Sequence, residues 1–419
     1  MEYMKRIADE RLSRSLKIFG AVLIEGPKYC GKTRTCQEHS KTQIYLQNPA
    51  DKDRFDAIVA QDPRLLFRGE PPILLDEWQD YPRIWDAVRF DVDQREIKGG
   101  FLLTGSSSSR NVTTMHSGAG RIGRLMMRPM SVFESRYASP SVSLRELFAT
   151  PTVEPARCVL TLDDYMEIVC RGGFPASRYL NHEDSLIATR DYVTELNRLR
   201  IAGAKSMRTA STVNARLLRS IARNLLTTYP FDKMHDEVVG NDSELSRRTI
   251  YNYYEKLKNY FIVDDVEAWN PHIRSRARTR KTPKRNFVDP AIAVGILNLD
   301  KEALLSDLRY YGFLFESLCI RDLRIFADEL GGEVLYFGDN SGLDVDAIIQ
   351  LKDGRWGAAQ VKVGSGRIEE AANELDRMVA KLDLSFTQHP SFLMILTGTQ
   401  DAYTRADGKV VVPLGLLMP

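Results

Sequence analysis

The chain has 419 residues, which is room for about two to four domains and excludes a peptide or a small disulfide-stapled fold. Its 58 Lys and Arg residues nearly balance 56 Asp and Glu residues, so the net charge of +2 by itself indicates no charged partner. Five scattered cysteines, none in a C-x-x-C pair, argue against a disulfide framework or a cysteine zinc site and favour a reducing compartment.

The start of the chain carries acidic residues where a secretion signal needs an unbroken apolar run. The most apolar tract, residues 410–418, is about half as long as a bilayer-spanning helix and contains Pro413. The sequence therefore predicts a soluble cytoplasmic protein with no membrane partner.

From about residue 15 to 150, short apolar runs alternate with stretches that have helical spacing. The runs are residues 20–25, 44–46, 73–75 and 101–104. Strands of a parallel sheet that is covered by helices on both faces have this continuous apolar character. We therefore predict an α/β domain over residues 1–150, ended by a stretch rich in Ser, Thr and Pro at 138–154.

Two further parts are predicted, over residues 151–300 and 301–419. The first is mainly helical, with helices at 211–226 and 246–260, then a strand at 261–263 and a basic hairpin that together resemble a winged helix. The second is another α/β unit. Its predicted elements are a helix at 312–330 and strands at 334–337, 345–351, 356–363 and 392–397.

Residues 26–33, Gly-Pro-Lys-Tyr-Cys-Gly-Lys-Thr, fit the pattern G-x-x-x-x-G-K-[ST] directly after the first apolar strand. Backbone N–H groups of such a loop form a cradle for phosphates, and its Lys and Thr reach the β/γ-phosphates and Mg²⁺. The predicted cofactors are therefore ATP and Mg²⁺. The predicted nucleotide-binding residues are Gly26, Pro27, Lys28, Tyr29, Cys30, Gly31, Lys32, Thr33 and Arg34.

Two strand ends further along the chain carry side chains suited to the same chemistry. Asp76 and Glu77 follow the apolar run at 73–75, and Thr104 and Ser106 follow the run that starts at Phe101. Open α/β sheets place their ligands at the carboxyl ends of the strands. We expect Asp76 to orient Mg²⁺ and Glu77 to act as general base on the attacking water. The two hydroxyls are suited to contact the γ-phosphate or that water.

These motifs, in this order, resemble the prokaryotic AAA-superfamily ATP-binding proteins in which an AAA core is joined to a C-terminal domain of unknown function. The resemblance continues at residues 119–121, 128–134, 172–175, 251–257, 288–290 and 312–316. It implies a P-loop AAA-type parallel-sheet domain, ATP binding and ATP hydrolysis.

AAA-type enzymes commonly use an arginine, often from a neighbouring subunit, to neutralise charge on the γ-phosphoryl oxygens. Arg121 and Arg124 are the candidates in this chain, and the alternative is that each is an ordinary arginine of the surface or the core edge. A homo-oligomer and an unidentified protein partner therefore stay open.

The near-zero total charge hides a basic stretch, residues 271–286, with seven Arg and Lys residues and no acidic one. Four of its arginines alternate with other residues, so a β conformation would place their guanidinium groups on one face. These are Arg274, Arg276, Arg278 and Arg280. Such a face matches the phosphates of a nucleic acid, and a solvated loop is the alternative.

Glu316, Asp346, Gln360 and Lys362 follow one another in an order that resembles the PD-(D/E)XK nuclease core. The resemblance implies Mg²⁺ on the acidic positions, here Asp346 with Gln360, and a lysine that acts on the attacked phosphate or the water. Gln360 departs from the pattern because its amide brings no charge to the metal. A three-residue hairpin loop at 352–354 places Asp346 opposite Gln360, whereas a two-residue turn places it opposite Val361. An ordinary α/β interaction domain is the alternative.

The leading hypothesis is a Mg²⁺-dependent AAA ATPase that couples its nucleotide state to the position of C-terminal modules that bind nucleic acid or a partner. The alternative is an ATP-gated nucleic-acid-binding regulator, or a nuclease with weak or lost cleavage activity. Stimulation of ATP hydrolysis by DNA or RNA would join the two ends of the chain functionally.

Overall fold

The computed structural model describes residues 2–106, 117–198, 207–240, 245–271, 282–383 and 387–419. The chain divides into two compact units, one of Met1–Pro129 with Leu257–Ile262 and one of Met130–Lys256 with Val263–Pro419. The first unit contains the P-loop sequence, and the second contains the basic and nuclease-like sequences.

The first unit is built on a parallel sheet, which has five strands in the described residues. The strands are β1 (Ala21–Glu25), β2 (Thr42–Tyr45), β3 (Ile73–Asp76), β4 (Phe101–Gly105) and β5 (Ile122–Met126). They lie side by side in the order β2-β3-β4-β1-β5, and each adjacent pair is parallel. The helices are α1 (Ile7–Ile18), α2 (Lys32–Glu38), α3 (Lys52–Gln61) and α4 (Arg83–Arg95).

Alternate residues of β1 pack into two different cores. Ala21 and Leu23 lie in the core formed with α3 and α4, and Val22 and Ile24 lie in the core formed with α1 and α2. Successive strand residues point to opposite faces, so a strand covered on both faces is apolar throughout. The predicted α/β class and its parallel sheet are confirmed. β5 is not among the predicted strands because Gly123 and Arg124 interrupt its apolar run.

The second unit contains a mixed sheet, with seven strands in the described residues. Its strands and those of a separate small pair are β6 (Val142–Ser143), β7 (Ala156–Arg157), β8 (Gly332–Gly338), β9 (Asp344–Leu351), β10 (Trp356–Lys362), β11 (Leu393–Thr397), β12 (Asp401–Thr404), β13 (Val410–Pro413) and β14 (Leu417–Met418). The large sheet has the order β7-β12-β13-β11-β10-β9-β8, and β14 pairs with β6.

The remaining helices follow along the chain and include the predicted ones at 211–226, 246–260 and 312–330. They are α5 (Leu144–Leu147), α6 (Leu162–Arg171), α7 (His182–Asn197), α8 (Met207–Arg223), α9 (Phe231–Val239), α10 (Arg247–Asn259), α11 (Pro290–Leu297), α12 (Lys301–Ser306), α13 (Leu308–Glu329) and α14 (Ile368–Ala380). Among the described helices, none is long and apolar enough to cross a membrane.

The loop between β9 and β10 has the three-residue form. Trp356 pairs with Gln350 and Ala359 pairs with Ala347, which leaves residues 352–354 as the loop. Since antiparallel pairing continues in step, Asp346 lies opposite Gln360. The three-residue alternative is therefore confirmed.

The basic stretch is flanked by two antiparallel arms. Val263 bridges to Phe287 and Val266 bridges to Lys284, while Ala268 bridges to Tyr336 of β8. The strand predicted at 261–263 is not formed, and only Val263 makes a β-bridge. The reason is that Phe261 has a positive φ of 58°, which interrupts the extended backbone. Arg274, Arg276, Arg278 and Arg280 lie outside the described residues.

A buried arginine joins three segments of the second unit. Arg321 of α13 donates from Nη1 to Asp289 Oδ2 over 2.8 Å and from Nη2 to Asp322 Oδ1 over 2.8 Å. Asp289 Oδ2 also accepts from the backbone of Gly173, and Asp322 Oδ2 accepts from the backbone of Val132. The segments around residues 132, 173 and 289 are therefore held to one helix by a network of charged groups.

Candidate functional site

The P-loop of the first unit runs from the end of β1 to the start of α2. Gly31 has a φ of +103°, which an L side chain rarely adopts. A Cβ atom on Gly26 would lie 2.1 Å from the backbone oxygen of Met127. Both glycines of the motif are therefore required by the path of the backbone.

Lys32 is buried, and its ammonium lies against the loop itself. Nζ donates hydrogen bonds to the backbone oxygens of Gly26 and Pro27, over 3.0 and 2.8 Å. This arrangement places a positive charge inside the curve of backbone that a phosphate would enter. That Lys32 reaches the β- and γ-phosphates stays a prediction.

The other predicted nucleotide-binding residues have different surroundings. Lys28 and Tyr29 are exposed, whereas Cys30 is buried and its Sγ lies 3.4 Å from the backbone oxygen of Met127. Arg34 is exposed and forms an ion pair with Glu38 one turn further along α2, at 3.0 Å. The loop thus presents Lys28 and Tyr29 to solvent and keeps Cys30 for packing.

Asp76 connects the P-loop to two neighbouring strands. Its Oδ1 atom accepts a hydrogen bond from Thr33 Oγ1 over 2.7 Å and one from Thr104 Oγ1 over 2.6 Å. Thr104 Oγ1 in turn accepts from the backbone N–H of Glu77 over 3.0 Å. The side chains predicted from three separate motifs therefore meet at one carboxylate.

Glu77 leaves β3 with a left-handed backbone, at a φ of 55°. Its Oε2 atom accepts hydrogen bonds from Ser106 Oγ, over 3.2 Å, and from Gln79 Nε2. Such a conformation costs a non-glycine residue of the order of 1 kcal/mol, and functional sites are a common place for it. The strained residue is the one that the sequence predicts as general base. Sequence reasoning did not find Gln79, whose only signal was its position two residues after Glu77.

Both candidate arginine fingers are engaged within their own unit. Arg121 Nε lies 2.7 Å from Asp93 Oδ1. Arg124 Nη1 lies 3.3 Å from Glu25 Oε2, and its guanidinium carbon lies 5.4 Å from the centre of the Trp85 ring. Each side chain is about half exposed, so neither is fixed in a buried core.

Arg6 is a contact of the P-loop that sequence reasoning did not find. Its Nη1 atom donates to the backbone oxygen of Cys30 over 2.9 Å, and its Nη2 atom donates to the backbone oxygen of Arg128 over 2.9 Å. The local signal was the acidic residue Asp9 three positions on, which accepts from the Arg6 backbone in the manner of a capping box. Arg6 therefore ties the start of α1 to the phosphate loop.

Asp9 is the centre of a second small polar cluster. It accepts from Tyr3 Oη, and its Oδ1 atom lies 2.7 Å from His39 Nε2. Burial alone raises the pKa of Asp9, but the hydrogen bonds from His39, Tyr3 and the Arg6 backbone outweigh burial, and the pKa lies below its ordinary value. Asp9 thus stays ionised and holds α1 to the end of α2.

The nuclease-like residues of the second unit lie around a lysine that the pattern does not include. Lys284 Nζ lies 2.5 Å from Asp344 Oδ2, 3.4 Å from Glu316 Oε1 and 3.5 Å from Asp346 Oδ1. Lys284 belongs to the basic stretch, for which a nucleic-acid-binding face or a solvated loop was predicted, but only 3% of its surface is exposed. Arg285 is also buried and pairs with Asp265.

Gln360 and Lys362 lie beside this group of acids. Gln360 Oε1 accepts from the backbone N–H of Asp346 over 3.3 Å. Lys362 Nζ donates to Glu374 Oε2 on α14 over 3.0 Å. The structure therefore brings Glu316, Asp346 and Gln360 together, and it directs Lys362 to a carboxylate of a neighbouring helix.

The two predicted Mg²⁺ sites differ in how well their residues suit a metal ion. Thr33 and Asp76 present a hydroxyl and a carboxylate oxygen side by side at the P-loop, which is the donor chemistry that Mg²⁺ takes together with phosphate oxygens. In the described part of the chain, no group of three or more His, Cys, Asp or Glu side chains is arranged to hold a metal ion. A site completed by a nucleotide needs no such group.

Three families of known domains match successive parts of the chain. Residues 19–135 match the AAA domain family, residues 162–303 match a domain of unknown function (DUF8612), and residues 311–417 match another (DUF4143). The first match covers β1 to β5, together with the P-loop, Asp76, Glu77 and Thr104.

Whole-chain relatives are more distant. Uncharacterized proteins of Mycobacterium bovis and Mycobacterium tuberculosis are each 22% identical over 360 residues, which is 84% of this chain and 73% of theirs. A Walker-type ATPase of Pyrococcus abyssi is 14% identical, with a TM-score of 0.45 over 70% of this chain and 96% of that one. The AAA match falls on the residues that build the P-loop site, and it supports an AAA-type ATP-binding protein.

Proposed function

We propose that the first unit binds ATP with Mg²⁺ and hydrolyses the bond between its β- and γ-phosphates. The observation that carries the proposal is the meeting of Thr33 and Thr104 at Asp76, with Glu77 as the next residue. In P-loop enzymes a hydroxyl and a carboxylate in this relation serve the metal, and a further acidic or amide side chain serves the attacking water. The AAA match over the same residues supports the proposal.

Lys32 supplies the positive charge for the phosphates. On nucleotide binding its ammonium exchanges the backbone oxygens of Gly26 and Pro27 for β- and γ-phosphate oxygens. The loop's N–H groups supply further hydrogen bonds to the phosphates. Charge-assisted bonds of this kind are about twice as strong as neutral ones.

Thr33 and Asp76 are the residues that would hold Mg²⁺, which when bound neutralises charge on the β- and γ-phosphates. Thr33 would offer its hydroxyl to the metal in place of its hydrogen bond to Asp76. The hydrogen bond from Thr104 to Asp76 Oδ1 would hold the carboxylate in place independently of Thr33.

Glu77 accepts the proton of the attacking water. Ser106 and Gln79 hold its Oε2 atom, which leaves Oε1 for the water. The Glu77 backbone is bonded to Thr104, so the base and the metal-orienting carboxylate are fixed to the same hydroxyl. General bases placed in this way contribute roughly 100- to 10,000-fold to the rate.

We propose that an arginine of a second copy of the chain completes the site in a homo-oligomer. Arg121 and Arg124 are half exposed, and each forms an ion pair with an acidic side chain, Asp93 or Glu25, that a γ-phosphate could replace. ATP turnover per chain should then rise with protein concentration.

The second unit is proposed as the part that responds to the nucleotide state, with residues 151–300 and 301–419 in separate roles. We propose a PD-(D/E)XK-like core for the latter, supported by the position of Glu316 beside Asp346 and Gln360. The antiparallel arms at 263–266 and 284–287 support a wing-like hairpin. Contact of nucleic acid with Arg274, Arg276, Arg278 and Arg280 would then show steep salt dependence.

The experiment that tests nucleotide binding compares wild type with Lys32→Ala and with Lys41→Ala. Lys41 is an exposed lysine of the same unit that pairs with Glu70. A fluorescent ATP analogue should bind the Lys32 variant about 10- to 100-fold more weakly, since a charge-assisted bond to phosphate is lost. The Lys41 variant should bind like wild type. Equal weakening in both variants, or no binding by wild type at millimolar nucleotide and Mg²⁺, contradicts the proposal.

A further inference from the structure

The acidic cluster of the second unit already contains a cation. Glu316 from α13 and Asp344 and Asp346 from β9 surround the ammonium of Lys284, whose three distances to their oxygens are 3.4, 2.5 and 3.5 Å. The side chains of Lys284, Glu316 and Asp346 are all nine-tenths or nearly nine-tenths buried, so their charges interact with little screening by water.

Lys284 is held in place by its backbone as well as by its charge. Its N–H donates to the backbone oxygen of Val266 and its own backbone oxygen accepts from Val266, both over 2.9 Å. The ammonium also lies 5.4 Å from the centre of the Tyr336 ring, and Tyr336 lies in β8. The segment that carries the lysine is therefore attached to the edge of the sheet that carries the acids.

The oxygens that a divalent metal would need are already used. Asp346 Oδ2 accepts from the backbone N–H of Val361 over 2.8 Å. Gln360 Oε1 accepts from the backbone N–H of Asp346 over 3.3 Å. Asp344 Oδ2 is the closest oxygen to Lys284. The residues that the nuclease-like order assigns to Mg²⁺ thus do not fit a metal ion in this arrangement.

The acidic cluster is open to solvent at Asp344, so a lack of access for a metal ion is not the reason that the cluster holds a lysine. A cavity of about 500 Å³ borders Lys284 and Asp344, together with Thr282 and Tyr336. About half of the Asp344 side chain is exposed. A hydrated ion can therefore approach the cluster. The place between the carboxylates that a metal ion would take is occupied by the Lys284 ammonium.

We propose that Lys284 is the permanent cation of this cluster and replaces the divalent metal ion of a PD-(D/E)XK-like core. The second unit then has the framework of a metal-dependent nuclease without the metal. It serves as a binding or control module, and phosphodiester cleavage is absent because no bound ion activates water or polarises a phosphate.

The ionisable groups of the cluster shift the pKa values of one another. Burial lowers the pKa of Lys284, but the three carboxylates outweigh burial and raise it above its ordinary value. Burial and the neighbouring Asp346 raise the pKa of Glu316 to about 8, even though Lys284 opposes them.

The test measures Mn²⁺ binding by the full-length chain without nucleotide, using electron paramagnetic resonance of the free ion. Wild type is compared with Asp346→Asn and, in case that variant does not fold, with Asp344→Asn at the more exposed acid. The proposal predicts that both variants bind as much Mn²⁺ as wild type. Loss of a bound Mn²⁺ from either folded variant overturns it.

A second measurement tests the ion group directly through a double-mutant cycle. Lys284→Met alone should lower the midpoint of urea unfolding, because three carboxylates then face one another. Glu316→Gln added to Lys284→Met should recover part of that loss, and Glu316→Gln alone should not stabilise wild type to the same extent. Additive effects of the two substitutions would show that Lys284 and Glu316 do not act as a pair and would overturn the proposal.

Discussion

The hydroxyl of Thr33 donates a 2.7 Å hydrogen bond to Oδ1 of Asp76, although the two residues are 43 positions apart. The parallel register of the sheet creates this contact. β1 and β3 both flank β4, so their carboxyl ends open on the same edge. The hydroxyl and the carboxylate that we propose as the Mg²⁺-binding groups are thus adjacent in the fold.

Asp76→Asn should keep the shape of this contact and remove its charge. Because we propose that Asp76 orients the metal, we expect ATP turnover to require about tenfold more Mg²⁺ and to be slower at saturation. The measurement is a Mg²⁺ titration of steady-state ATP hydrolysis. Asp80→Asn, at an exposed acid a few residues on, is the matched control. An unchanged Mg²⁺ requirement in Asp76→Asn would contradict the proposed role of this carboxylate in orienting the metal.

Gln79→Ala should lower kcat about tenfold and leave KM unchanged, because one of the two hydrogen bonds that fix Glu77 Oε2 is lost. Gln79→Glu has nearly the same size but places a like charge beside Glu77, and we expect a larger loss. Steady-state kinetics separate the two effects. A change in KM alone would assign Gln79 to substrate binding.

Arg6→Ala should destabilise the first unit by about 1–3 kcal/mol, since the backbone oxygens of Cys30 and Arg128 lose their donor. Because Cys30 lies in the P-loop, ATP affinity should fall in the same variant. Arg6→Lys can satisfy one of the two oxygens and should recover part of both losses. Lys5→Ala, at an exposed neighbour that pairs with Glu10, controls for charge. ATP affinity equal to wild type in Arg6→Ala would contradict a role for Arg6 in holding the loop.

Glu316→Gln should change how stability depends on pH. The pKa of Glu316 is raised from 4.5 to about 8 in the folded chain, so the folded state holds this proton more tightly than the unfolded state. Wild type should therefore lose stability, relative to the variant, as pH rises from about 4.5 to 8. The charged groups that act on Glu316 are Lys284, Asp344 and Asp346. Lys362 in turn acts on Asp344.

The measurement for this prediction is the urea midpoint of both proteins at several pH values between 5 and 8. The difference between them should grow in favour of Glu316→Gln. Parallel curves would show that Glu316 is not protonated in the folded chain.

Arg321→Met should be among the most destabilising single changes in the second unit. Asp289 and Asp322 are both fully buried and would lose their common cation. Breaking a buried ion pair from one side costs about 3–5 kcal/mol. Urea unfolding should show the loss, and Asp289→Asn in the same background should reduce it. A loss below about 1 kcal/mol would contradict the network described for α13.

The P-loop and the strand that carries Asp76 could be predicted from the sequence because their signals are local. The spacing from Gly26 to Thr33 is fixed by one loop, and Asp76 follows a strand that is apolar at every position. β5 escaped prediction because Gly123 and Arg124 lie within it. Thr104 lies beside Asp76 because β4 is the neighbour of β3 in the sheet. A local sequence pattern shows where each strand ends but not the order of the strands, so this contact could not be predicted.

Lys284 could not be assigned from sequence, because its surroundings come from other segments. Glu316 is 32 positions away and reaches it only when α13 packs beside the hairpin arm. A run of seven basic residues is typical of a solvated surface, and the burial of Lys284 and Arg285 depends on acids that lie elsewhere in the chain. The three-residue loop at 352–354 was an open alternative, since loop length alone decided which residue faced Asp346.

The most direct test of the proposed ATPase is the comparison of wild type with Glu77→Gln in nucleotide binding and in single-turnover hydrolysis. Gln keeps the size of Glu77 and one carbonyl oxygen that can still accept from Ser106 and Gln79, but it cannot accept the proton of water. We predict unchanged affinity for MgATP and a rate of hydrolysis lower by roughly 100- to 10,000-fold. Hydrolysis at the wild-type rate by the Glu77→Gln variant would contradict the account.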